Sequence, residues 1–208
     1  MLKVLGKASS INVRKVLWAC EEIGRPYTRE DWGSGHRDTH SPGYLAINPN
    51  ALVPAIVDGD FVLWESNTIV RYLAAAAGRY DLLPGSPEER ALVEKWMDWQ
   101  ATEFNNAWRY AFQALVRQNP AYADASELQA SLTEWTRHVA ILDAQLTHTG
   151  GFAAGATFTV ADIPIGLSVN RWFMTPIDAR PDFAAVWAYY ERLSQRPAFL
   201  KHGRNGIA

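Results

Sequence analysis

The sequence predicts a two-part chain: a small α/β domain followed by an all-α helical domain. Three observations predict this. Short alternating strand and helix patterns fill the first 78 residues, a Pro- and Gly-broken stretch follows, and long amphipathic runs without a strand pattern occupy the rest. The boundaries read from these shifts are 1–78 for the first domain, 79–88 for a linker and 89–208 for the helical domain.

The elements justify themselves in order. "LKVLG" alternates, with Leu2 and Val4 on one face. From Ile11 to Ile23, Val13, Val16, Leu17, Cys20 and Ile23 recur at three- and four-residue steps, which predicts a helix, with Gly24 to end it and Pro26 beyond. "YTRED" suits a second strand. The stretch from Trp32 to Pro54 is rich in Gly, Pro, Asn and Ser and reads as a long connection with one helical turn at most. "PAIV" and "DFVLW" around Asp58-Gly59 read as a hairpin joined by that pair, and Glu65-Ser66 opens a helix that closes at Gly78. The order is β-α-β-loop-β-β-α. After "RYDLLPGSPEER", the run from Pro87 to Gln118 has no Gly or Pro between its ends, and three further amphipathic runs follow. Together they predict a bundle of four or five helices.

Composition excludes several classes. Hydrophobic residues at 48% and charged residues at 20% suit a soluble globular chain. A formal net charge of −2 and the absence of any Lys/Arg-rich run leave no footprint for nucleic acid. No apolar run approaches a membrane span and the N-terminus carries no leader-like core, so a cytoplasmic protein without a membrane partner is expected. The single cysteine, Cys20, excludes an internal disulfide, and its apolar helix position predicts a core residue. The histidines show no paired ligand spacing, so no metal is expected. Nine tryptophans supply apolar area for a core and for a pocket that takes flat ligands.

Two stretches carry candidate chemistry. In "LVPAIVDGDFVLWES", a cis Val53-Pro54 bond at a strand mouth would turn the Val53 N–H and C=O outward, where an extended peptide pairs with them as an added strand. Glu65-Ser66 stands at a helix N-terminus, where free N–H groups and a hydroxyl receive a carboxylate and Glu65 suits the ammonium beside it. The pair fits a ligand with a peptide backbone and an α-amino acid head. In "GKASSINVRKVL", Ser9 and Ser10 lie at the start of the first helix, where either can cap it or hold a reactive group.

In conjunction, "NPNALVPAIVDGDFVLWESNTIVRYLA" closely resembles the thioredoxin-like half of cytosolic glutathione S-transferases, and the resemblance extends over the whole chain. It implies a thioredoxin-like N-terminal domain, a helical C-terminal domain and glutathione as co-substrate. Val53 would then bond the cysteinyl backbone of glutathione, presented by cis Pro54, while Glu65 and Ser66 hold the γ-glutamyl amino and carboxylate groups. His40 is placed to meet the glycyl carboxylate. Leu52 stands where many relatives have Gln or Lys, so one side-chain contact is missing. "SINVRKVL" resembles the serine-type pattern S-x-x-x-R-x-V-L with Ser10 leading; a one-residue slip puts Ser9 there instead. Asn12 can add a second hydrogen bond. "TFTVADIPIG" matches the family's folding signature, with Thr159 and Asp162 as a capping box.

The resemblance implies a mechanism without a covalent serine. A free thiol near pKa 8.5 yields little thiolate at neutral pH, and a Ser hydroxyl donating to sulfur at a helix N-terminus stabilises it. A shift of two units is about 2.7 kcal/mol. The electrophile would lie between the domains against Trp99, Phe104, Trp108, Phe112, Trp172 and Phe173. The main expectation is conjugation of a hydrophobic electrophile. The alternatives are a glutathione-dependent peroxidase or disulfide reductase, and a non-catalytic binding module on the same fold. A homodimer is implied by resemblance.

Overall fold

A computed structural model of the chain describes residues 1 to 208. Strand β1 (Leu2–Leu5) leads into helix α1 (Ile11–Ile23), followed by β2 (Tyr27–Glu30). A short helix α2 (Pro42–Leu45) interrupts the connection to β3 (Ala55–Asp58), β4 (Phe61–Trp64) and α3 (Ser66–Ala76). The strands form one mixed sheet in the order β2-β1-β3-β4. β1 is parallel to β2, a pairing that needs the crossover α1 provides, and antiparallel to β3. β4 pairs antiparallel with β3. Asp58 pairs with Phe61, so the two-residue turn is Gly59-Asp60, one position later than the sequence suggests. The left-handed position is taken by Gly59, with φ of 64°, and the turn centres on it.

The apolar stripe of α1 packs Val13, Val16 and Leu17 against Leu2, Val4 and Ile56 of the sheet and Ile69, Val70 and Leu73 of α3. Gly24 caps α1 in the left-handed conformation, with φ of 65°. Cys20 is fully buried there, and burial pushes its thiol up to about 12.

The helical part contains α4 (Pro87–Trp99), α5 (Asn105–Leu115), α6 (Ala125–Thr149), α7 (Asp162–Met174), α8 (Ala184–Leu193) and α9 (Pro197–His202), six helices rather than four or five. The run from Pro87 that reads as one helix is divided by a π-helical segment, Gln100–Phe104. Nothing in the side-chain pattern marks this break. It falls where Gln100 is fully buried and bonded on both sides, accepting from Lys15 Nζ at 3.1 Å and donating to Ser168 Oγ at 2.9 Å.

The two parts share one core: a single cluster of 40 buried residues runs through both, so their relative placement is set by packing. At the seam α1 meets α7 at Gly166, where a Cβ would fall 2.7 Å from Leu193 Cδ1 and 3.0 Å from Trp18 Cη2. Helix α7 starts from Asp162, which is fully buried. Its carboxylate accepts from the N–H groups of Thr159 (2.8 Å) and Ala153 (2.9 Å), from the Tyr189 hydroxyl (3.0 Å) and from Thr159 Oγ1 (3.3 Å). In a capping box the threonine hydroxyl accepts from the main chain; here it donates to the carboxylate, and Asp162 does the accepting. Burial still pushes the Asp162 carboxyl up to about 6, against the pull of its four donors.

Candidate functional site

A cleft of about 590 Å³ lies between the two parts. Its α/β wall is formed by Lys7, Ser10, Asn12, Thr39, Leu52 and Val53, and its helical wall by residues of α5 with Arg117 and Arg171. A smaller cavity of about 270 Å³ adjoins it, sharing Asn12, Leu52 and Val53 and reaching Asn50, Trp64, Glu65 and Ser66.

The α/β wall is built from main-chain geometry. Gly6 turns the chain out of β1 with φ of 151°, and a Cβ there would fall 2.5 Å from Val13 Cγ2 and 3.1 Å from Val53 Cβ. Only glycine lets the loop pass between α1 and Val53. The loop delivers Ser10 as the N-cap of α1, with φ of −75° and ψ of 126°. Its hydroxyl makes no cap hydrogen bond and lies on the cleft beside the helix's free N–H groups. Ser9 is exposed and does not line the cleft.

Across from it the Val53-Pro54 peptide is cis. The preceding loop is pinned from beneath: the Leu52 carbonyl accepts from the Tyr44 hydroxyl at 2.7 Å and from Asn48 Nδ2 at 2.8 Å. Tyr44 and Asn48 are both buried. The Leu52 side chain is 65% exposed at the rim, and neither the Val53 N–H nor its C=O has a partner within the chain. Glu65, the N-cap of α3, holds φ of 75° and ψ of 107°. A non-glycine residue in that region costs on the order of 1–3 kcal/mol and marks positions where geometry serves a site. It aims the first turn of α3, with Ser66, into the smaller cavity.

Charge accumulates at the seam. Lys15 is 3% exposed and bonded to Gln100; burial lowers its pKa to about 7, with Glu65 drawing it back and Arg171 pressing it further down. Arg14, also buried, donates to the carbonyls of Ile207 and Ala208, each at 3.0 Å, and burial lowers it to about 10.

The expected site residues separate into two groups. Ser10, Asn12, Leu52, Val53, Pro54, Glu65 and Ser66 come together in the two cavities, with Trp108 and Phe112 on the helical wall. The others do not join them. His40 is exposed and outside the lining; its neighbour Thr39, buried, lines the cleft, because the Asp38 side chain accepts from the His40 N–H and turns that residue outward. Phe104 is fully buried in the core, with Trp99 stacked on it at 4.9 Å. Trp172 is buried edge-on to Trp135 at 5.1 Å, and Phe173 packs on Tyr190 at 4.8 Å. Trp108 and Phe112 share a face one turn apart, whereas Trp99 precedes the π segment, Phe104 closes it, and both pack into the bundle. Missing from the sequence reading are Lys7, Thr39, Arg109, Gln113, Arg117 and Arg171. The four-residue steps of Arg109, Gln113 and Arg117, a polar stripe beside Trp108 and Phe112, are the signal that would have found three of them.

Residues 9–76 match the family described as "Glutathione S-transferase, N-terminal domain", and residues 104–197 match "Glutathione S-transferase, C-terminal domain". The chain is 39% identical over 203 residues to Glutathione S-transferase GstB of Escherichia coli strain K12, covering 97% of each. It is 34% identical to Glutathione S-transferase 3 of Zea mays, over 96% of this chain and 92% of that one. Among solved structures, the theta class glutathione S-transferase of Xanthomonas axonopodis pv. citri with glutathione bound superposes with a TM-score of 0.92 at 39% identity, covering 100% of this chain and 99% of the other. By both family matches and by identity over nearly its whole length, this chain belongs to the glutathione S-transferase family.

Proposed function

We propose that the protein is a serine-type glutathione transferase in which the Ser10 hydroxyl stabilises the thiolate of bound glutathione for attack on an electrophile. The observation that carries this reading is the Ser10 hydroxyl, left free by its own cap and facing the same cleft as the unpaired Val53 main chain. In this reading Val53 pairs with the cysteinyl residue like an added strand, and the α3 N-terminus with Ser66 takes the γ-glutamyl carboxylate while Glu65 takes its ammonium. The glycyl carboxylate falls toward Lys7 and Thr39 rather than His40. The sulfur then lies at the start of α1, where the hydroxyl donates to it and the helix dipole adds to its stabilisation. The description of the Xanthomonas relative with glutathione bound supports the ligand. Cys20, buried and with its pKa raised to about 12, is unsuited to thiol exchange, which favours conjugation over a disulfide reductase that uses its own thiol. A homodimer and a cytoplasmic setting belong to the same reading; the exposed apolar edge strand β4, with Phe61, Val62 and Trp64, supports a second copy.

The test is conjugation of glutathione to 1-chloro-2,4-dinitrobenzene, run beside peroxide and disulfide turnover. Ser10→Ala is expected to lower conjugation about 30-fold, near 2 kcal/mol, and to raise the pKa of the bound thiol by one to two units, while Ser9→Ala stays within about twofold. An unchanged Ser10→Ala rate sinks the assignment of that residue. Failure of the wild type to bind millimolar glutathione sinks the enzyme reading altogether.

A further inference from the structure

The helical wall of the cleft carries charge where an apolar surface is expected. Arg109, Arg117 and Arg171 line it, Lys7 faces them, and no carboxylate lines the cleft with them. Elsewhere most arginines of the chain pair with an acidic side chain, as Arg25, Arg71, Arg79, Arg196 and Arg204 do. None of the three cleft arginines has such a partner. Arg109 and Arg117 are exposed, but Arg171 is 3% exposed.

Arg171 is held as part of a built wall. Its guanidinium carbon stands 3.7 Å from the Phe112 ring centroid and 4.4 Å from that of Trp108, so both aromatic faces are spent on it. Its one hydrogen bond runs from Nη2 to the main-chain oxygen of Ala208, the last residue, at 3.2 Å, and its Nε is buried with no partner. Burial, with the positive charges of Arg14 and Arg117 nearby, pushes its pKa well down. A guanidinium does not shed its proton in such a place, so a buried cation stands on the cleft wall with no acidic side chain beside it. The two carboxylates of glutathione are assigned to the opposite wall, which leaves this anion site to the second substrate.

We propose that the electrophile accepted by this cleft bears a carboxylate, bound by Arg171 with Arg109 and Arg117, so that its reactive carbon is held toward the sulfur at Ser10. The inference rests on the transferase reading and narrows its substrate class from hydrophobic to anionic. A planar guanidinium with free N–H groups on one side suits two-point recognition of a carboxylate. The reaction balances simply for an aryl chloride. The glutathione thiol gives its proton to water, the thiolate forms a C–S bond at the ring carbon, and the C–Cl bond breaks with its electron pair leaving as chloride.

The experiment compares 4-chloro-3-nitrobenzoate with its neutral methyl ester, each catalysed kcat/KM divided by the uncatalysed rate with glutathione. The wild type is expected to favour the acid by about tenfold or more, with a preference that shrinks as salt screens the charges. Arg171→Met is expected to lower the acid-to-ester ratio about tenfold through KM for the acid. Because Arg171 is buried, the exposed pair Arg109→Gln and Arg117→Gln is made as well, and should lower the ratio several-fold. Ester turnover without preference for the acid overturns this inference alone, as does a ratio unchanged in both variants. Turnover of neither compound beside intact conjugation of 1-chloro-2,4-dinitrobenzene overturns this inference alone, whereas loss of that conjugation as well overturns the transferase reading and this inference with it.

Discussion

The two walls of the cleft are made differently. The α/β wall presents main chain: an unpaired Val53 peptide and the N-termini of α1 and α3, with a buried frame of Tyr44 and Asn48 that holds the Leu52 carbonyl beside Val53. The helical wall presents side chains: Arg171 and Arg117 laid against Trp108 and Phe112. Main-chain recognition fits one invariant peptide and tolerates little change, because its geometry comes from turns and helix ends. Side-chain recognition is retuned by single substitutions on a helix face. Under the proposed transferase reading, one wall serves the constant co-substrate and the other sets which second substrate enters.

The largest test asks whether the walls stand independently. Asp162 starts α7, the helix that carries Arg171, yet α7 belongs to the core shared with α1. Asp162→Ala leaves buried donors of Ala153, Thr159 and Tyr189 without an acceptor, which should cost on the order of 3 kcal/mol or more. Urea unfolding followed by fluorescence and by far-UV circular dichroism should still show one coincident transition, at lower urea. Two separate transitions would mean that the walls fold apart.

Lys15 lies between the walls and tests how the seam carries charge. The folded chain releases its proton near pH 7, whereas the unfolded chain holds it to about 10.4. In that window the unfolded state binds more protons, so stability rises with pH. Wild-type stability should therefore rise relative to Lys15→Met from about pH 7 to 10, by at most about 1.4 kcal/mol per unit. Parallel curves in urea titrations at several pH values would refute a buried, proton-releasing lysine. The smallest test touches the α/β wall alone. Asn48→Ala removes one of two donors that hold the Leu52 carbonyl and should raise KM for glutathione about tenfold, near 1.4 kcal/mol, with kcat within twofold. An equal loss in kcat would place Asn48 in the chemistry rather than in the frame.

Legibility in the sequence follows the same division. Gly24, the hairpin pair, Val53-Pro54 and Glu65-Ser66 stand out because turns, caps and cis bonds admit few residue types, and the α/β half was readable almost element by element. His40 shows the limit for a related reason: in a loop without periodicity nothing tells which of two neighbours faces inward, and in the structure Thr39 lines the cleft while His40, its N–H bonded to Asp38, is exposed. On the helical side, amphipathic spacing identified the helices but not which apolar residues face the cleft and which face the core. The π segment at Gln100–Phe104 shifts the register between Trp99 and Trp108, and periodicity carries no trace of it.

What the sequence by itself determined is the α/β-then-helical order, the turns and caps, and the main-chain site they create, because each of these rests on local backbone preference. The tertiary structure alone decided that Arg171, far along the chain, lines one cleft with Ser10 and does so without an acidic side chain. Such a meeting depends on how α1 packs against α7 at Gly166, a contact of complementary surfaces that no local pattern encodes.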